Sequence, residues 1–140
     1  MQEIELCYNS NIMKADSSEV KVVNVKEKLS LFNEYWNPKI VGELNNHKVQ
    51  VAKLKDKFVW HHHDHEDELF YVVKGCLIVH FRDKDIEVNE GEFVIIPHPI
   101  EHMTEVKEEE THIILIEPKQ VLNTGNEIDS KYAAKKQDNI

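Results

Sequence analysis

Between Ile40 and Pro118 the apolar residues fall in short runs, each broken within a few positions by Gly, Asn, Asp or Pro. Short apolar segments at such close intervals are the signature of an all-β sandwich or barrel. The qualifying segments are residues 40–44, 48–54, 58–61, 68–74, 77–82, 86–89, 92–97, 102–106 and 111–118, so nine strands are expected. The breaks between them hold Asn45-Asn46, Lys74-Gly75, Asp83-Lys84-Asp85 and Asn89-Glu90-Gly91, residues that tolerate positive φ or bond their own backbone in turns. Upstream, Val25, Leu29, Phe32 and Trp36 recur every three to four positions and predict one short helix, which Asn37-Pro38 stops.

Residues 93–96 and 113–116 are apolar at odd and even positions alike, which demands cover on both faces. The barrel interior supplies one cover. The N-terminal helix or a second copy of the chain must supply the other, so a homodimer is expected. Residues 1–24 read as a loose arm, 25–118 as the barrel, and 119–140 as a polar, peripheral tail with room for a short helix.

Composition sharpens this outline. A chain of 140 residues fits one domain, and at that size a hydrophobic core forms without staples. Cys7 and Cys76 form no C-x-x-C pair, which favours reduced thiols and a cytoplasmic setting over a secreted scaffold. Seventeen basic residues against 26 acidic ones give a net charge of -9, which argues against nucleic acid and anionic membrane surfaces as partners. The longest apolar runs fall far short of a membrane span, and no basic-then-apolar signal opens the chain.

The chemistry lies in the histidines. There are nine, four of them between His61 and His65. On an extended backbone alternate residues share a face, so His61 and His63 place two imidazoles side by side in chelating geometry. A polar loop then leads to Glu68, whose face continues with Phe70 and Val72. A carboxylate heading an apolar face needs a cation or hydrogen bonds, and a divalent metal meets that need. Further on, Gly91-x5-Pro97-x-Pro99-x2-His102 delivers a third imidazole from a rigid corner.

The spacing His61-x-His63-x4-Glu68-x6-Gly75, followed by Gly91-x5-Pro97 and His102, resembles the two metal-site motifs of the cupin superfamily, small jelly-roll barrels (double-stranded β-helices). The resemblance is close over residues 58–102 and extends along flanking strands to Pro118. It implies an all-β, single-domain jelly-roll with His61, His63, Glu68 and His102 holding one divalent ion, and with coordination positions left for water or substrate. Two positions depart from the pattern: Pro99 stands where the family often has Gly, and Val106 where some members carry Asn. His62 and His65 have the wrong parity or lie in the loop, and are expected to face solvent or support a ligand.

Three imidazoles and a carboxylate suit Zn, Fe, Mn, Ni or Co without choosing among them. The expected function is a metal-dependent enzyme, a dioxygenase or an isomerase, acting on a small oxygenated molecule, with Glu68 as ligand or, if released, as catalytic base. The alternative is a non-catalytic, metal-containing module that captures a small ligand. No Arg or Lys cluster near the motifs is available to hold a phosphate, and the Phe70–Val72 face favours an apolar substrate over a sugar.

Overall fold

The computed structural model describes residues 16–140, so the arm up to Ala15 lies outside the described residues. Asp16 caps a single 3-10 turn, Ser17–Glu19, by accepting a hydrogen bond from the Ser18 N–H. Helix α1, Val25–Leu29, starts where the Asn24 side chain accepts from the Glu27 N–H, and ends at Ser30. It stops short of the expected stripe to Trp36. Phe32 and Trp36 are buried, but Trp36 has φ 57 and donates its backbone N–H to the Lys53 carbonyl and its indole N–H to the Lys55 carbonyl. The three-to-four spacing recorded burial and not a continuous helix.

Seven strands follow: β1 Lys39–Leu44, β2 His47–Lys57, β3 Glu68–Lys74, β4 Cys76–His80, β5 Asp85–Asn89, β6 Phe93–Ile96 and β7 Met103–Pro118. All pairings are antiparallel, in the order β1-β2-β7-β3-β6, with β4 joined to both β7 and β5. This is an all-β jelly-roll. Two of the nine expected strands are absent as separate elements. Residues 58–61 make only one bridge, His61 to His102. Residues 102–106 and 111–118 run together into the 16-residue β7.

Side-chain parity explains the merger. Thr104 and Val106 point inward from even positions, whereas Thr111, Ile113, Leu115 and Glu117 point inward from odd ones. The exposed run between them absorbs the switch. Across from it β2 slips register between Leu54 and Asp56, where Asp56 takes φ 58. A bulge bends the ladder without ending it.

The interior is packed by Ala52, Leu54, Phe70, Val72, Leu77, Val79, Ile113 and Leu115. Outside the sheet, Leu29 and Phe32 sit on Val51, Val73 and Ile114, together with Ile140. Helix and chain end therefore cover the second face of β7. Among the described residues the second face of β6 has no such cover: Phe93 and Ile95 are 62% and 52% exposed.

The tail, expected to be peripheral, is built into the barrel and forms turns instead of a helix. Val121, Asn123 and Thr124 are buried. The Lys48 ammonium donates to the Val121 carbonyl at 2.8 Å, and the Asn123 amide donates to the Tyr132 carbonyl and accepts from the Ala134 N–H, both at 2.8 Å. The Ile140 N–H reaches the Ile40 carbonyl at 3.0 Å. Gly125, at φ 54, passes so close to the His62 carbonyl that any Cβ there would overlap it. No helix among the described residues is long and apolar enough to cross a membrane.

Candidate metal centre

Two backbone segments set the site. Beyond β2 the chain stays extended long enough for His61 to exchange both backbone hydrogen bonds with His102, N–H to carbonyl at 3.0 and 2.9 Å. His63, two residues on, faces the same interior, and Glu68 enters it as the first residue of β3. The corner leading to His102 carries a cis His98–Pro99 peptide bond. The four side chains expected from the motifs meet: one donor atom from each of His61, His63, Glu68 and His102 lies within 4.8 Å of the others, and all four residues are buried.

Backbone carbonyls fix how two of the rings present themselves. His61 Nδ1 lies 2.9 Å from the Val59 carbonyl and His102 Nδ1 lies 2.8 Å from the Ile100 carbonyl. A carbonyl only accepts, so each Nδ1 carries the hydrogen and each Nε2 offers a lone pair to the interior. His63 Nε2 is 2.9 Å from Glu68 Oε1, and His102 Nε2 is 3.1 Å from Glu68 Oε2. Close as they are, His63 Nε2, His102 Nε2 and Glu68 Oε2 find no hydrogen bond of acceptable geometry. Buried polar atoms left unpaired are costly. Two imidazole nitrogens and a carboxylate oxygen that converge unpaired in the interior are what a cation requires, so the residues fit a divalent metal.

The electrostatics agree. Burial, with His102 beside it, lowers the His61 pKa to about 4, so the ring is neutral near pH 7. Burial alone would push the Glu68 carboxyl up; a proton on the facing Nε2 of His102 or His63 in the metal-free protein holds it well below the usual carboxylate range, and a cation there would act in the same sense. A linkage prediction follows for the metal-free protein. Between pH 6.5 and 4 the unfolded chain protonates this histidine and the folded one does not, so the His61 contribution to stability falls as pH falls, by about 3 kcal/mol over the window. Urea denaturation of wild type and His61→Asn at pH 7 and pH 4 isolates it: the variant's stability should drop less. Equal drops would contradict the buried neutral ring.

The other histidines stand apart from the cluster. His98 donates from its backbone N–H (3.0 Å) to Asp67, with its Nδ1 at 2.6 Å from the same oxygen, tying the start of β3 to the corner. His62 pairs with Asp64, and His65 is exposed. His80 lies between Asp85 and Glu105 on the outer face of β4.

One interior feature was not anticipated. Lys48 on β2 is registered opposite Glu117 on β7, and the β3–β7 register brings Glu68 to the other side of Glu117. Lys48, Glu117 and Glu68 thus share one buried rung, with the ammonium 3.6 Å from Glu117 Oε1 and the Gln50 amide donating to that oxygen at 3.2 Å. Burial and the neighbouring Glu68 push the Glu117 carboxyl well above its ordinary value. Parity was the available signal: Lys48 and Gln50 share the inward face of Ala52 and Leu54, and Glu117 that of Ile113 and Leu115.

Against His61 and Glu68 lies a small cavity of about 30 Å³, walled by Trp36, Leu54, Phe58, Phe70 and Leu115. Among the described residues Glu68 is the only charged side chain lining it. Trp36 stacks on Phe58 with ring centroids 4.6 Å apart, and Phe58 meets His61 edge-on at 5.3 Å.

The cupin domain family matches residues 48–117, the stretch from β2 through β7 that contains all four ligand candidates. The chain belongs to the cupin family. Among solved structures, this cupin is similar to a cupin-2 domain containing protein from Shewanella frigidimarina, at 41% identity and a TM-score of 0.68 over 70% of this chain and 95% of that one. It is also similar to protein NMB1881 from Neisseria meningitidis, at 28% identity and a TM-score of 0.62 over 71% and 100% of the two chains. A curated relative, the uncharacterized protein YdbB of Bacillus subtilis, is 36% identical over 81 residues. That match covers 57% of this cupin and 66% of YdbB, just under two thirds of its length.

Proposed function

We propose that this cupin is a metal-dependent enzyme, a dioxygenase or an isomerase, acting on a small oxygenated molecule. The observation that carries the proposal is the set of unpaired donor atoms of His63, Glu68 and His102 beside a cavity walled mostly by apolar side chains, with His61, Thr104 and Asn123 as its other polar lining. A bound ion supplies Lewis-acid polarisation of a substrate oxygen. The chain's residues do the rest: Leu54, Phe70 and Leu115 form an apolar wall that has to part to admit a substrate, since the ~30 Å³ between them holds no more than a water or two, and Glu68 is the carboxylate placed to hold a proton at the cavity wall. The cavity has no Lys or Arg to neutralise a phosphate, so diketones and phenols are favoured over sugar phosphates. Metal identity stays among Zn, Fe, Mn, Ni and Co.

Two further parts of the proposal concern setting and assembly. The described thiol, Cys76, is free, which supports a cytoplasmic protein. The uncovered Phe93 and Ile95 support a homodimer, and light scattering in solution should return twice the chain mass. A monomer at micromolar concentration would remove that part.

The functional test loads the protein separately with Fe(II), Mn(II), Ni(II) and Zn(II) and follows oxygen uptake and isomerisation over diketones, phenols and sugar phosphates. Turnover of an uncharged substrate by one metal form, lost in His102→Ala, is the expected result. Ligand binding without turnover across the panel would favour the non-catalytic module instead.

A further inference from the structure

The strand segment that ends in His102 has a neighbour on each side. On one side β4 pairs with β7 through His80 and Met103, and continuing that register places Arg82 opposite Glu101. On the other side His61 bridges to His102. Three adjacent segments therefore end together, and parity divides their side chains. His61 and His102 point inward, while Trp60, Glu101 and Arg82 stand on the outer surface.

Arg82 spans that surface. Its guanidinium forks onto Glu101, Nη2 at 2.6 Å and Nε at 3.3 Å, and at the same time lies 3.7 Å from the centre of the Trp60 indole. The Arg82 position is itself set by the turn in which the Phe81 N–H donates to the Lys84 carbonyl at 2.8 Å. Trp60 and Glu101 are the residues immediately before His61 and His102. A planar, two-pronged group fixed against both restrains their backbones from outside, directly behind the imidazoles.

We propose that Arg82 is a positioning residue for the metal centre, strapping Trp60 and Glu101 together across the outer face so that His61 and His102 are held in ligand geometry before an ion arrives. This rests on the metal-site reading above. An exposed ion pair adds little to global stability; the contribution of this one is ligand preorganisation.

The test measures the Co(II) dissociation constant and visible spectrum of wild type, Arg82→Ala, Arg82→Lys and Glu101→Gln, together with the melting temperature of each metal-free protein. Outer residues that orient metal ligands typically change affinity ~10–100-fold, and Arg82→Ala should fall in that range with a shifted Co(II) band and a metal-free melting point close to wild type. Arg82→Lys keeps the charge without the planar fork and should recover little; Glu101→Gln keeps one acceptor and should lie between. If Arg82→Ala does not fold, Arg82→Lys carries the test alone. Affinity within about twofold of wild type, full rescue by lysine, or a weakening matched by loss of metal-free stability would each overturn the proposal. Failure of wild type to bind Co(II) at all would instead refute the metal centre on which it stands.

Discussion

His102→Ala is expected to empty the site while leaving the barrel intact. Removing a direct ligand should cost more than the ~10–100-fold typical of an outer residue, so bound metal in protein purified without an affinity tag should fall from near one equivalent to near none. His61→Ala should behave alike, because the two rings enter through the same bridge and each presents Nε2 with Nδ1 spent on a carbonyl. The fold should survive, since the core of Leu54, Phe70, Val72, Leu77 and Ile113 includes neither histidine. Elemental analysis and circular dichroism check both halves. Equal metal content in wild type and both variants would refute the ligand assignment.

The second large effect lies on the buried rung. Lys48→Met removes the ammonium that pairs with Glu117 beside Glu68, and with it the hydrogen bonds from that ammonium to the Val121 carbonyl and to the Gln137 side chain at 2.7 Å. Because the Glu117 carboxyl is already pushed up and can take a proton once the ammonium is gone, the cost should fall below that of a fully ionised buried pair, at about 1–3 kcal/mol for the lost hydrogen bonds, a fall in melting temperature of roughly 3–10 °C for a chain of this size. Replacing the pair together, as Lys48→Met with Glu117→Leu, should recover much of that loss, since an apolar pair leaves no stranded charge. Denaturant melts of the two single variants and the double variant form the required cycle. A single-variant cost below about 1 kcal/mol would show that the ammonium does not balance the carboxylates.

Much of this molecule was legible in its sequence, and the exceptions share a cause. Alternation located β1 through β6 to within three residues at each end, though it also marked residues 58–61 as a strand where only one bridge forms, and Glu68 stood out because it headed an apolar face. The motif spacing brought together four residues that the chain separates by as many as 41 positions, from His61 to His102. What alternation could not report was the parity switch within β7, where polar residues 107–110 read as a break although the ladder continues through a bulge. Periodicity likewise misread Trp36, which is buried by a left-handed bend and a hydrogen bond to Lys55. The tail was missed for a different reason. Its anchors are polar groups: the Val121 carbonyl and the Asn123 amide reach Lys48 and Trp36 far off in sequence, and Asn123 also ties down Tyr132 within the tail, and composition alone carries no trace of such pairings.

The His61–His102 bridge also bears on rates. Its closure joins residues 41 positions apart, and where such a contact forms after the folding barrier it governs unfolding and not refolding. An ion gripping both imidazoles would then strengthen a contact still open at the folding barrier. Loading the protein should lengthen its native lifetime and leave the speed of refolding nearly untouched.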